Sequence, residues 1–147
     1  MQNHEISLYF QDTLTKLIET VDVAIGDLDC EIKDNKYYPY EIINNYLPNI
    51  DDDGIFIYLI ENDFFNKVQI NDFKSKFKGT LLGLIVLPNG LFNKNHIGKS
   101  ILVGSPLQLK NFDMMVMQMA SINEQDKFYD NINEIQEWIK KIKEIEK

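Results

Sequence analysis

Ile55-Phe56-Ile57-Tyr58-Leu59-Ile60 is an apolar run set between Asp51-Asp52-Asp53-Gly54 and Glu61-Asn62-Asp63. Short, rich in β-branched and aromatic side chains, and bounded by turn formers, it reads as a well-buried β-strand with no polar face. Two similar runs follow. Thr80 to Leu87 is closed by the turn signal Pro88-Asn89-Gly90, and Ser100 to Gly104 is broken by Ser105-Pro106. Phe112 to Ile122 places Met115, Met117 and Met119 opposite Val116, Gln118 and Ala120, the alternation of a fourth strand. Upstream, Leu28, Cys30 and Ile32 alternate with Asp29, Glu31 and Lys33, which predicts a strand with one face buried. Asp34-Asn35-Lys36 is a turn. Tyr37 to Tyr40 then reads as an edge strand, because Pro39 cannot donate to a central ladder.

Helical spacing appears at both ends. Ile6, Phe10, Leu14, Leu17, Val21 and Ala24 recur every three or four residues, predicting an N-terminal amphipathic helix that Gly26 ends. Phe128, Ile132, Ile135, Ile139 and Ile142 form one stripe, and Asn131 with Glu134 resembles a capping box for the C-terminal helix. A short helix is expected over Glu41 to Leu47, stopped by Pro48. The fold class expected is α+β: a single domain over residues 1–147, with an antiparallel or mixed β-sheet of about five strands and an N-terminal and a C-terminal amphipathic helix packed on it.

Composition narrows the functional classes. The 147 residues are 44% hydrophobic, enough for one core and against disorder. Cys30 is the single cysteine, which excludes an internal disulfide and a thiolate-rich zinc site; it is expected to be a small buried hydrophobe. All 15 basic side chains are lysines, so no planar guanidinium fork is available for phosphate or guanine. Met1 to Glu5 shows no leader pattern, and the longest apolar run, Leu81 to Leu87, is too short to cross a bilayer. A cytoplasmic protein without membrane contact is the expectation.

Charge is unevenly spread. Residues 1–63 hold 14 acids against 3 lysines, residues 64–123 hold 2 acids against 7 lysines, and the whole chain carries a net charge of -8. Such a field selects partners rather than folds. If the strands bearing Asp27, Asp29 and Glu31 and the one preceded by Asp51, Asp52 and Asp53 were neighbours, their carboxylates would converge on one rim. Tyr37, Tyr38 and Tyr40 would add contact area there. These nine residues are the expected partner-binding set. The reading they support is a non-enzymatic, immunity-type inhibitor or chaperone that masks a basic protein such as a toxin. The alternatives are a structural subunit of a phage- or secretion-type assembly, whose acidic front meets the lysine-rich middle of the next copy, and an enzyme whose site the sequence does not display. Nucleic acid is disfavoured by the net charge.

Two motifs fall short. Asn93 to Ser100 approaches a phosphate-binding loop, but Asn93 stands where glycine is required and Ile101 to Gly104 reads as strand rather than helix. Asn49, Asp51, Asp53 and Gly54 match the start of a calcium loop, yet Ile60 occupies the position of the bidentate glutamate. No catalytic residue, metal ligand or cofactor is expected from these patterns.

Overall fold

The computed structural model describes residues 19–28, 30–88 and 98–144. The expected N-terminal helix lies outside them up to residue 18. Its last two turns do not form: Val21–Asp27 is strand β1. Val21, Val23 and Ile25 are β-branched at alternate positions, and pairing with a neighbouring strand outweighs the weaker helical spacing. Ile32–Lys33 (β2) and Lys36–Tyr37 (β3) form a small ribbon around Asp34 and Asn35, both at positive φ (53° and 61°), as a tight hairpin demands. The half-buried strand expected over residues 28–32 is thus reduced to this ribbon. Helix α1, Tyr38–Tyr46, begins earlier than expected because Pro39 sits in its first turn, where no backbone N–H is needed.

Strand β4, Ile50–Glu61, is longer than its apolar run and takes in Asp51, Asp52 and Asp53, which were expected to form a turn. Helix α2 (Ile70–Lys76) leads to β5 (Thr80–Val86). Strands β6 (Lys99–Ser105) and β7 (Met115–Gln118) precede helix α3 (Gln125–Lys143). The expected capping role of Asn131 is replaced: inside α3, its Oδ1 accepts the backbone N–H of Ala120 at 2.8 Å and ties the helix to the segment after β7.

The five long strands make one mixed sheet in the order β1-β4-β6-β5-β7. β1 runs parallel to β4 and β5 parallel to β7, while β6 is antiparallel to both β4 and β5. Four strands therefore point one way and β6 the other. The parallel β1–β4 pair requires a crossover, and α1 supplies it. The architecture is mixed α/β, with a five-stranded mixed sheet and three helices among the described residues.

Phe56, Tyr58 and Ile60 project from one face of β4 into the main core, together with Leu102 of β6, Tyr40 and Ile43 of α1, Phe73 of α2 and Phe64. The rings interlock: Tyr40 meets Phe64 edge-on at 4.8 Å and stacks on Phe73 at 4.6 Å, and its hydroxyl donates to the Phe64 carbonyl. On the opposite face Trp138 of α3 lies against Gly83 of β5, where any side chain would collide with the indole. None of the helices among the described residues is long and apolar enough to cross a membrane.

Candidate functional site

Because β1, β4, β5 and β7 share a direction, their carboxyl ends lie along one edge of the sheet, next to the amino end of β6. In open α/β sheets that edge is where ligands bind. It carries the principal polar constellation of the described residues. At the end of β1, Asp27 Oδ1 accepts a hydrogen bond from Lys99 Nζ at 2.7 Å, across from the start of β6. At the end of β4, Glu61 is 3% exposed. Its Oε1 receives the Tyr37 hydroxyl at 2.6 Å and Lys67 Nζ at 2.9 Å. The ammonium of Lys67 also lies 5.2 Å from the centre of the Tyr37 ring. Next to it, Ser100 Oγ donates to Asn62 Oδ1 at 2.5 Å, and the Asn62 backbone N–H reaches the Gly98 carbonyl at 2.9 Å.

Burial alone would raise the Glu61 carboxyl. The hydrogen bonds from Tyr37 and Lys67, the lysine charge and the Cys30 thiol outweigh it and hold the group below its ordinary value of 4.5. A folded-state value below the unfolded one means that Glu61 stabilises the protein fully above pH 4.5, and that this contribution is lost as pH falls through the depressed value. The tyrosines behave oppositely. Burial pushes Tyr40 and Tyr58 from 10 up to about 12, so the folded state favours the neutral phenols. Their contribution is complete below pH 10 and is lost as the pH rises toward 12. Denaturation midpoints measured against pH should therefore fall at both extremes. Glu61→Gln should flatten the acid limb and leave the alkaline limb, followed by phenolate absorbance, in place.

The expected partner-binding residues are not brought together. β1 and β4 are neighbours but parallel, so Asp27 and Asp51 to Asp53 occupy opposite ends of the sheet. Asp27 is paired in register with Leu59, six residues beyond Asp53, which separates them by roughly 20 Å at the usual strand rise. Asp27 is also engaged by Lys99. Glu31 is exposed near the ribbon, and Asp29 lies outside the described residues. The tyrosine patch dissolves as well: Tyr37 and Tyr40 are 1% and 3% exposed and belong to the core, while Tyr38 is half-buried against it. Cys30, expected to be buried, is half-buried, with Sγ 3.9 Å from the Leu28 carbonyl. Lys99-Ser100 opens a strand, so no helix begins at that pair, as the broken phosphate-loop pattern implied.

Sequence reading overlooked Glu61, Lys67 and Lys99. One signal was present: Glu61 is an acid appended directly to the apolar run Ile55 to Ile60, a position that a sheet interior covers.

No protein-family model matches the sequence, and no curated protein matches it. Solved structures do. The chain overlays a Listeria monocytogenes protein, lmo1582, provisionally assigned to the class I S-adenosylmethionine-dependent methyltransferases. The TM-score is 0.74 at 20% identity, over 87% of this chain. The chain spans 46% of that protein, somewhat under half of its length. A complex of M1.HpyAVI with S-adenosylmethionine also matches, at TM-score 0.40 and 15% identity over 69% of this chain and 58% of that one. The first likeness shows the fold: a Rossmann-like α/β sheet. It overturns the expectation of a non-enzymatic immunity-type inhibitor, because the architecture is one on which an enzyme is built and the acidic rim that motivated the inhibitor is split between two ends.

Proposed function

We propose that this chain is one half of an S-adenosylmethionine-dependent methyltransferase and acts as part of that enzyme. The observation that supports this reading most is the overlay with lmo1582, at TM-score 0.74 over 87% of this chain, while only 46% of the larger protein is spanned.

The residues described here do not by themselves form a site for S-adenosylmethionine. A cavity of about 500 Å³ lies between β7 and α3, at the opposite edge of the sheet from β1. A second, of about 90 Å³ between α1, α2 and β3, is too small for a nucleoside. At the carboxyl ends, the buried Glu61 carboxylate is already engaged by Lys67 and the Tyr37 phenol. The turn after β1 also lacks the glycine-rich strand-to-helix pattern that cradles a nucleotide. The cofactor therefore belongs with the other half of the fold.

What this half offers is a carboxylate for the methyl acceptor. Asp27 closes β1, its side chain is 62% exposed, and Lys99 orients it. Such a group can accept a hydrogen bond from an N–H or O–H of the acceptor and take its proton. Glu61 instead holds the end of β4 in place, locked by Tyr37 and Lys67.

The test is methyl transfer from labelled S-adenosylmethionine, using the enzyme as isolated from the cells that make it. Asp27→Asn is expected to lower kcat by about 10²–10⁴-fold with KM for the methyl donor little changed. A preparation that labels no acceptor, or an Asp27→Asn enzyme of unaltered rate, would refute the proposal.

A further inference from the structure

The edge of the sheet opposite β1 is unfinished. Among the described residues β7 pairs only with β5, and the stretches flanking it, 106–114 and 119–124, add no strand to its outer side. Met115-Val116-Met117-Gln118 has no charge, proline or bulge to guard that edge. Helix α3 beside it is held along one side only. Phe128, Ile132, Ile135, Trp138 and Ile142 make its apolar stripe, yet each is only half-buried, and no described residue of the helix is fully buried. Val116, in register with Leu84 on the face away from α3, is 62% exposed.

The cavity of about 500 Å³ at this edge is walled by β7 and α3 alone, and its lining is ordered along the helix. Glu134 stands at one end, Trp138 in the middle and Lys141 at the other. The two charges are two helical turns apart, roughly 10 Å along the axis. Both are exposed, and neither has an ion-pair partner among the described residues. Glu137, also in the lining, is engaged by Lys140 of its own helix at 3.2 Å. An apolar groove with an acid at one end and a base at the other is complementary to itself after a half-turn.

We propose that this edge is the interface of a two-fold symmetric homodimer. β7 of one copy pairs antiparallel with β7 of the other about Val116, and the two α3 helices lie antiparallel on the same face of the joined sheet. A single axis perpendicular to the sheet does both. It brings Glu134 of each copy to the partner's Lys141, because positions 134 and 141 are equidistant from the Glu137–Trp138 step next to the axis. The two indoles, with Met115 and Met117, then close the cavities of both copies, and the Val116 side chains meet on the opposite face. The two charges favour a second copy over an unrelated apolar strand, which would leave both without a partner. Asp27 is at the other edge of the sheet and is untouched by this pairing. The dimer forms whether or not the chain takes part in methyl transfer.

Sedimentation equilibrium of the full chain tests the interface with charge reversals. The parent is expected to sediment as a dimer. Glu134→Lys and Lys141→Glu each set like charges against one another at both symmetric contacts, and each should weaken the dimer about tenfold or more. Mixed one to one, the two variants restore both contacts, so a heterodimer with an affinity near the parent's should form. Both side chains are exposed, so thermal midpoints should stay close to the parent's, and recovery on mixing separates lost pairing from lost folding. Val116→Lys reads the strand contact, since it sets two ammonium groups together at the axis and should also give monomers. A parent that is monomeric at every concentration reached, a dimer unmoved by either reversal, or variants that do not recover on mixing would overturn the proposal. So would a different polypeptide that co-purifies with the parent in place of a second copy and is released by Val116→Lys.

Discussion

Phe56→Ala is expected to destabilise the protein by about 4–5 kcal/mol, near the top of the range for truncating a buried aromatic residue. The ring is fully buried, stacks on Tyr58 at 5.0 Å and meets Phe77 edge-on at 6.2 Å. Its cross-strand partner decides the magnitude. Phe56 is in register with Gly104 of β6, and the ring fills the space that a side chain there would occupy. With the ring removed, a glycine has nothing to move into the gap, so the cavity stays open and its lining loses contacts outright. Stabilities of domains this size lie at about 5–15 kcal/mol, so the variant should be marginally folded at best. Denaturant unfolding would show a large drop in midpoint with the slope unchanged. A loss below about 1 kcal/mol would mean that the core around β4 refills.

The second large effect falls on the polar end of the same strand. Glu61→Ala is expected to cost about 3 kcal/mol, because it strands both the Tyr37 hydroxyl and the Lys67 ammonium that the carboxylate now serves. Removing one partner of a buried pair commonly costs about 3–5 kcal/mol. Lys67 keeps 23% of its side-chain exposure and can turn toward water, which places this variant at the lower end. The size of the effect should depend on what else is removed. Adding Lys67→Ala to Glu61→Ala should cost less than the sum of the two single changes, since the uncompensated ammonium disappears with it. Strict additivity in that double-mutant cycle would show that the two groups are not coupled.

Both predictions concern one strand that was evident from its residues, and the contrast with the rest of the chain is instructive. Ile55 to Ile60, Thr80 to Val86 and Ser100 to Gly104 are strands because their side chains have no polar face to show to water, a property of the residues themselves. The stripe from Phe128 to Ile142 is equally local, and α3 follows it. Val21 to Asp27 was read differently because two periods overlap there: Val21 and Ala24 continue a helical stripe, while Val21, Val23 and Ile25 also alternate. Only the vacant side of β4 selects the second. Tyr37 and Tyr40 look like surface aromatics amid acids, but the crossover between two parallel strands carries them inward over β4.

The candidate site was still less visible. Asp27, Glu61, Lys67 and Lys99 are spread over more than seventy positions of sequence, with no motif spacing between them. They meet because four strands share a direction and therefore end together. What this sequence determined alone was which segments must leave water, since apolar surface is excluded from it residue by residue. The order and polarity of the strands, the division of the acids between two ends, the pairing of Glu61 with Tyr37 and Lys67, and the unguarded edge of β7 were decided by the tertiary structure. Each of them depends on which distant segment fills a neighbouring place in the sheet, and a one-dimensional pattern of hydrophobicity and charge carries no term for that choice.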